Sequence, residues 1–304
     1  MSGGWDNMTD RAQEWVGFSL RRVGAIALNT LTESVRQKVF NILLVFALVV
    51  IAMASFFAQF SFAEQAGLAA IEQLKSVKDF CLGAISVFGM LIAVVGTAQL
   101  LPNEVEQRTI YTILSKPVRR IEFLLGKFGG MLLLILVSVV LMSALFGAVL
   151  AFKHRTLTAE IAAEGGGAAG EEVQRLLAQV HASAYDPDLM KGIFLIGMKL
   201  AVLAGITLLV STFSTSMIFN ITVTFMVFLA GHLVGTAKEL WQAQTVMRYL
   251  LAIIPDLSVF NIADDIILGN VIPWLHVGRV ALYGAVYLVV VVGAAHFIFA
   301  DREI

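Results

Sequence analysis

Apolar residues in this chain come in long unbroken runs, not in the alternation of a half-buried strand or the one-sided stripe of a soluble helix. Residues 39–60 (VFNILLVFALVVIAMASFFAQF) hold no charge. At a rise of about 1.5 Å per residue, such a run crosses a hydrocarbon core of about 30 Å. Similar runs occupy 80–101, 128–152, 192–210, 217–236 and 276–300. The pattern predicts an all-α integral membrane protein, with six transmembrane helices in a single domain over 1–304. The six residues at 211–216 are enough only for a tight turn between the fourth and fifth spans.

The polar segments have patterns of their own. In 9–38, Val16, Leu20, Val23, Ala27, Leu31 and Val35 recur every three or four positions, with Arg11, Arg21, Arg22, Arg36 and Lys38 between them. This predicts an amphipathic helix in the membrane interface, the alternative being a soluble helix packed on a partner. A short polar helix is expected over 63–79, ahead of the second span. Within 153–191, glycines at 165–167 and Gly170 read as a linker, followed by an amphipathic helix on Val173, Leu176, Leu177 and Val180. These glycines are no phosphate cradle, because Glu171 and Glu172 stand where a P-loop needs Lys and Ser or Thr. In 237–275, Pro255 and Asp256 break the run, so two short re-entrant helices (240–254 and 258–268) fit better than a crossing.

Composition agrees with a lipid-facing chain. Of 304 residues, 59% are apolar and 14% charged, against roughly 25% charged in soluble domains. A formal net charge of −1 offers no basis for nucleic-acid binding. The single cysteine, Cys81, rules out an internal disulfide and a cysteine-based metal site. Residues 1–38 contain no early apolar core, so no cleavable signal is expected. The densest Lys and Arg clusters lie on 1–38 and 102–127, which places both termini in the cytoplasm by the positive-inside rule. The expected location is the cytoplasmic (inner) membrane, with 153–191 and 237–275 outside.

The polar interruption at 102–127 is the most densely patterned. Asn103 can cap a helix whose first turn holds Glu104 and Glu106. Val105, Ile110, Ile113 and Leu114 make one side apolar, and Pro117 ends that helix and starts the next. The alternatives are a helical hairpin on the membrane surface and an ordinary solvated loop. Elsewhere, the pairs Gly126/Gly130 and Gly231/Gly235 allow close helix approach, serving either a dimer interface or internal packing. Lys199 falls about 10 Å inside the fourth span, where its charge either snorkels to the outer surface, the favoured reading, or faces a polar interior. His232 and His296 read as satisfied structural histidines, not as ligands. No second His stands at metal spacing, so no metal site is proposed.

The run EQRTIYTILSKPVRRIEFLLGK (106–127) resembles the signature of type-2 ATP-binding-cassette (ABC) transporter permeases. It is most similar to the branch labelled as permeases for multi-copper enzyme maturation. Members show an acidic residue, Gly-Thr-Ile or similar, Leu-Ser-x-Pro-Val-x-Arg and a closing Gly-Lys; here Arg108 replaces the Gly before Thr109. The segment 27–36 resembles the family's interfacial entry helix, and Pro255, Phe260 and Asn261 its outer re-entrant region.

The resemblance implies that the hairpin is a coupling element seated in an ABC ATPase dimer. Glu104, Glu106, Arg108 and Thr109 would be contact positions, with Ser115, Pro117, Arg119 and Arg120 shaping the turn. ATP and Mg would be bound by that partner, leaving this chain with no cofactor and no catalytic residue. A second permease copy, the same or related, would complete the transporter, which would export or extract an unidentified substrate. The alternative is a membrane scaffold that passes ATPase-driven force to an outer-side partner. An intramembrane protease lacks its motifs here. A secondary transporter would pair broken spans with buried acids, and these spans hold almost none.

Overall fold

The computed structural model describes residues 18–58, 66–102, 119–164, 170–240 and 254–301. Among them every regular element is helical: α1 (Leu20–Val35), α2 (Lys38–Phe57), α3 (Ala66–Ala98), α4 (Arg120–Glu164), α5 (Glu171–Ala184), α6 (Asp188–Phe213), α7 (Met217–Leu240), a 3-10 turn (Ser258–Phe260), α8 (Ala263–Leu268) and α9 (Trp274–Asp301). Six helices are long and apolar enough to cross a membrane, namely α2, α3, α4, α6, α7 and α9.

α6 is the centre of the bundle. Its most apolar stretch is 67% buried, against 22% for α2 and α7. α3, α4, α7 and α9 pack around it, and α2 lies outside on α3 and α4. The outer helices leave Ile42, Val45, Phe46, Ile218, Val289 and Phe297 exposed, which is how a helix facing hydrocarbon differs from one facing water. Inside, two of the buried hydroxyls bond to their own helix: Thr207 Oγ1 donates to the Leu203 carbonyl at 2.8 Å and Ser138 Oγ to Leu134 at 2.8 Å. This removes the penalty of an unpaired polar group.

Several boundaries differ from the expected ones. α3 runs without a break through 79–80, where a polar helix was expected to give way to a span. No Pro interrupts it, and Lys78, 2% exposed, is neutralised by Asp186 at 3.5 Å. α4 has 45 residues, about 67 Å at 1.5 Å per residue, and continues well past the expected end at 152. α5 folds back against this extension through contacts among His154, His181 and Tyr185. α6 begins at Asp188, one turn before the expected 192.

The segment 258–268 is a 3-10 turn followed by α8, ended by Gly269 at φ +76°. That left-handed conformation is the usual helix stop and suits glycine. Residues 241–253, which hold most of the first expected re-entrant helix, lie outside the described residues.

α1 lies along α4. Its buried residues are Ala27, Thr30 and Ser34, whereas Leu20, Leu28 and Val35 are exposed. Ala27 and Thr30 face α4 together with Ile26, while Leu20, Leu28 and Val35 point away from the bundle. An interfacial helix with its greasy side in lipid has this arrangement.

Candidate functional site

The described chain enters the 102–127 interruption at Pro102 and leaves it at Arg119. Glu104, Glu106, Arg108, Thr109, Ser115 and Pro117 lie outside the described residues. Arg119 and Arg120 are described, and the base on which the interruption stands is visible in detail.

That base is built around Glu122. α4 starts at Arg120, so Arg119 is its cap and Glu122 its third residue. At that position a carboxylate reaches back to the cap N–H: Arg119 N donates to Oε2 at 3.3 Å. The other oxygen accepts from the backbone N–H of Ser19, the cap of α1, at 2.7 Å and from Arg22 Nη2 at 2.9 Å. One fully buried carboxylate therefore holds two helix N-termini, whose dipoles both favour negative charge.

The same face continues along α4. An added Cβ on Gly126 would meet Ile26 at 2.6 Å, and one on Gly130 would meet the Ala27 carbonyl at 2.5 Å. Hydrogen side chains here allow α1 to lie directly on α4. Lys127, 3% exposed, closes the contact with Glu33 Oε2 at 3.5 Å. Arg120 Nη1 donates to the Phe299 carbonyl at 3.4 Å, and Phe123 stacks on Phe299 at 6.2 Å. The first turns of α4 thus touch both the entry helix α1 and the end of α9.

The second glycine pair is occupied in the same manner. An added Cβ on Gly231 would lie 2.8 Å from the Pro255 carbonyl, and one on Gly235 2.5 Å from Ser258 Oγ. Leu257 N donates to the Gly231 carbonyl at 3.0 Å. The segment around 255–258 therefore docks on α7, pinned by Asp256, whose carboxylate accepts from Lys238 Nζ at 2.7 Å.

Lys199 corrects the sequence reading. It does not snorkel: it is 1% exposed, and its Nζ donates to Ser86 Oγ of α3 at 2.6 Å. The hydroxyl across the α3–α6 contact gives the ammonium a partner that periodicity could not reveal. His232 Nδ1 lies 3.3 Å from the Phe228 carbonyl, while the buried Nδ1 of His296 has no hydrogen-bond partner among the described residues, so it is not the satisfied histidine expected.

Sequence reasoning missed Glu122 as the organising acid. Its signal was local, an acid three residues after a helix cap. Its second partner, on α1, had no such signal.

The family model described as ABC-2 family transporter protein matches residues 63–293, from α3 to near the end of α9. The chain belongs to that family. No individual curated protein matches it. As an ABC-2 family member with six apolar helices, it is a multi-pass membrane permease component of an ABC transporter. Its family membership implies partnership with an ABC ATPase subunit, and such permeases are typically non-catalytic membrane subunits.

Proposed function

We propose that this permease couples ATP hydrolysis by a separate ATPase dimer, which binds ATP and Mg, to export or membrane extraction of a substrate. In this proposal 102–127 is the coupling element and faces the cytoplasm with both termini, in an inner membrane. A second permease copy completes the transporter. The observation that supports it is the Glu122 junction. A push on the interruption reaches the first turn of α4, which is clamped to α1 by Arg22, Ser19 and Gly130 and to α9 by Arg120. Movement there is passed to helices at both ends of the chain as one body.

The test is ATP hydrolysis by the purified complex, after Glu106→Lys and Arg108→Glu substitutions in the interruption. Permease-dependent control of hydrolysis should be lost while Cys81, buried and free, stays inaccessible to maleimide. Hydrolysis that responds to the permease as in the unsubstituted complex would rule out this element as the coupling contact.

A second proposal is supported by the length of α4 and by α5 folded on its end. These project polar surface beyond a bilayer's thickness and give an outer-side partner something to grip. Force transmission without transport then replaces export. Substrate flux in reconstituted vesicles separates the two.

A further inference from the structure

Three of the buried lysines in this bundle are matched to acids. Lys78 faces Asp186, Lys127 faces Glu33, and Lys191 faces Asp188. Lys199 is different. It lies in the middle of α6 at 1% exposure, and among the described residues its hydrogen-bond partner is a neutral hydroxyl and no carboxylate is within ion-pair distance. Burying an ammonium without a counter-charge carries a large desolvation penalty.

A cavity of about 250 Å³ lies beside it at the end of the bundle that carries α8, its lining including Lys199, Ser86 and His232 and also Asp79 and Asp264. Asp79 and Asp264 are exposed and mark its mouth. The proton balance inside favours a negative guest. Ser86 Oγ accepts from Lys199, so its own O–H remains to donate. Lys199 keeps two further N–H groups. His232 Nδ1 is engaged by the Phe228 carbonyl, leaving Nε2 as its second polar atom. The cavity is smaller than the 300–1,000 Å³ of drug-sized pockets, so it suits a headgroup or small solute, not an acyl chain. The carboxylates at its mouth disfavour a polyanion.

We infer that this cavity binds a phosphate or carboxylate group, with Lys199 as its counter-ion and Ser86 as a second donor. The site does not depend on the coupling proposal, and its test uses no ATPase, so either can fail alone.

The experiment uses the full chain in nanodiscs of phosphatidylcholine, with and without phosphatidylglycerol. Inorganic phosphate is titrated by calorimetry, and retained lipid is counted by native mass spectrometry. The unsubstituted chain should bind one of the two probes. Lys199→Met should weaken that binding by about tenfold or more, Lys199→Arg should keep most of it, and Ser86→Ala should weaken it several-fold. Lys199→Met removes a buried charge, so it should fold at least as well as the parent without ligand. Retention of phosphatidylglycerol alone assigns the site to a lipid headgroup, and binding of phosphate alone assigns it to a soluble anion. If neither probe binds the unsubstituted chain, or Lys199→Met binds equally well, the inference is overturned.

Discussion

Arg22 and Glu122, one hundred positions apart, form an ion pair at 2.9 Å in which the acid is fully buried and the base is 30% exposed. The carboxylate also takes the cap N–H groups of α1 and α4, so removing it takes a buried acceptor away from three donors. Glu122→Ala should destabilise the chain by about 2–4 kcal/mol. Glu122→Gln, which keeps one acceptor oxygen, should cost less. Thermal unfolding in detergent, followed by alkylation of Cys81, measures both. An unchanged midpoint for Glu122→Ala would show that the junction does not hold α1.

The α1–α4 contact requires a hydrogen side chain at Gly130, because a Cβ there would sit 2.5 Å from a backbone carbonyl that cannot rotate away. Gly130→Leu should detach α1 or cost about 1–3 kcal/mol through overpacking. Gly147, on the same helix, has nothing within 4 Å of an added Cβ. Gly147→Ala should therefore be neutral or slightly stabilising, since alanine favours helix. Limited proteolysis near 35–38 distinguishes a detached α1 from a general loss of stability.

At the far end of the bundle, Asp188 accepts from Lys191 Nζ at 2.5 Å and from Ile272 N at 2.8 Å, and Lys191 Nζ also donates to the Ile272 carbonyl at 2.7 Å. This ties the start of α6 to the loop before α9. Asp188→Ala strands a buried ammonium and should cost about 3–5 kcal/mol. Adding Lys191→Met should recover much of that loss, and a double-mutant cycle reads the coupling directly. Additive effects would mean that the pair does not act as a unit.

Asp256 predicts an acid sensitivity. Burial pushes its carboxyl up, but Lys238 and the two Ser258 donors together outweigh burial and hold it below the usual carboxylate value. A depressed carboxylate contributes stability that is fully present above its unfolded value, about pH 4, and is lost as pH falls through the lower folded value. Docking of the 255–258 segment on α7 should therefore weaken below about pH 4. Asp256→Asn should be less stable at neutral pH and lack this acid-dependent step. Unfolding midpoints from about pH 3 to pH 6 give the comparison, and a parallel acid response in both proteins would assign the effect elsewhere.

The six spans were legible because each announces itself through its own residues. The hairpin read from Asn103, Glu104 and Pro117 falls on positions outside the described residues. Less visible was anything that joins distant positions. Lys78 and Asp79 look like the end of a helix when read along the chain, yet α3 continues because Asp186 neutralises Lys78 from across the bundle. The apolar stripe of α1 gave no sign that Ala27 would share the α4 contact with Thr30, which lies outside the stripe. Lys199 looked able to reach water, but Ser86 and the α3–α6 packing enclose it.

The sequence by itself determined that this chain lives in a bilayer and how many times it can cross. Crossing is a local property: the free energy of each segment in hydrocarbon is close to a sum over its own residues. The tertiary structure decided which faces meet, which glycines are covered, and which charges are buried with or without a partner. Those outcomes depend on shape and charge matching between residues such as Ala27 and Gly130, or Arg22 and Glu122. Lipid is as apolar as most helix faces, so hydrophobicity alone does not choose among them.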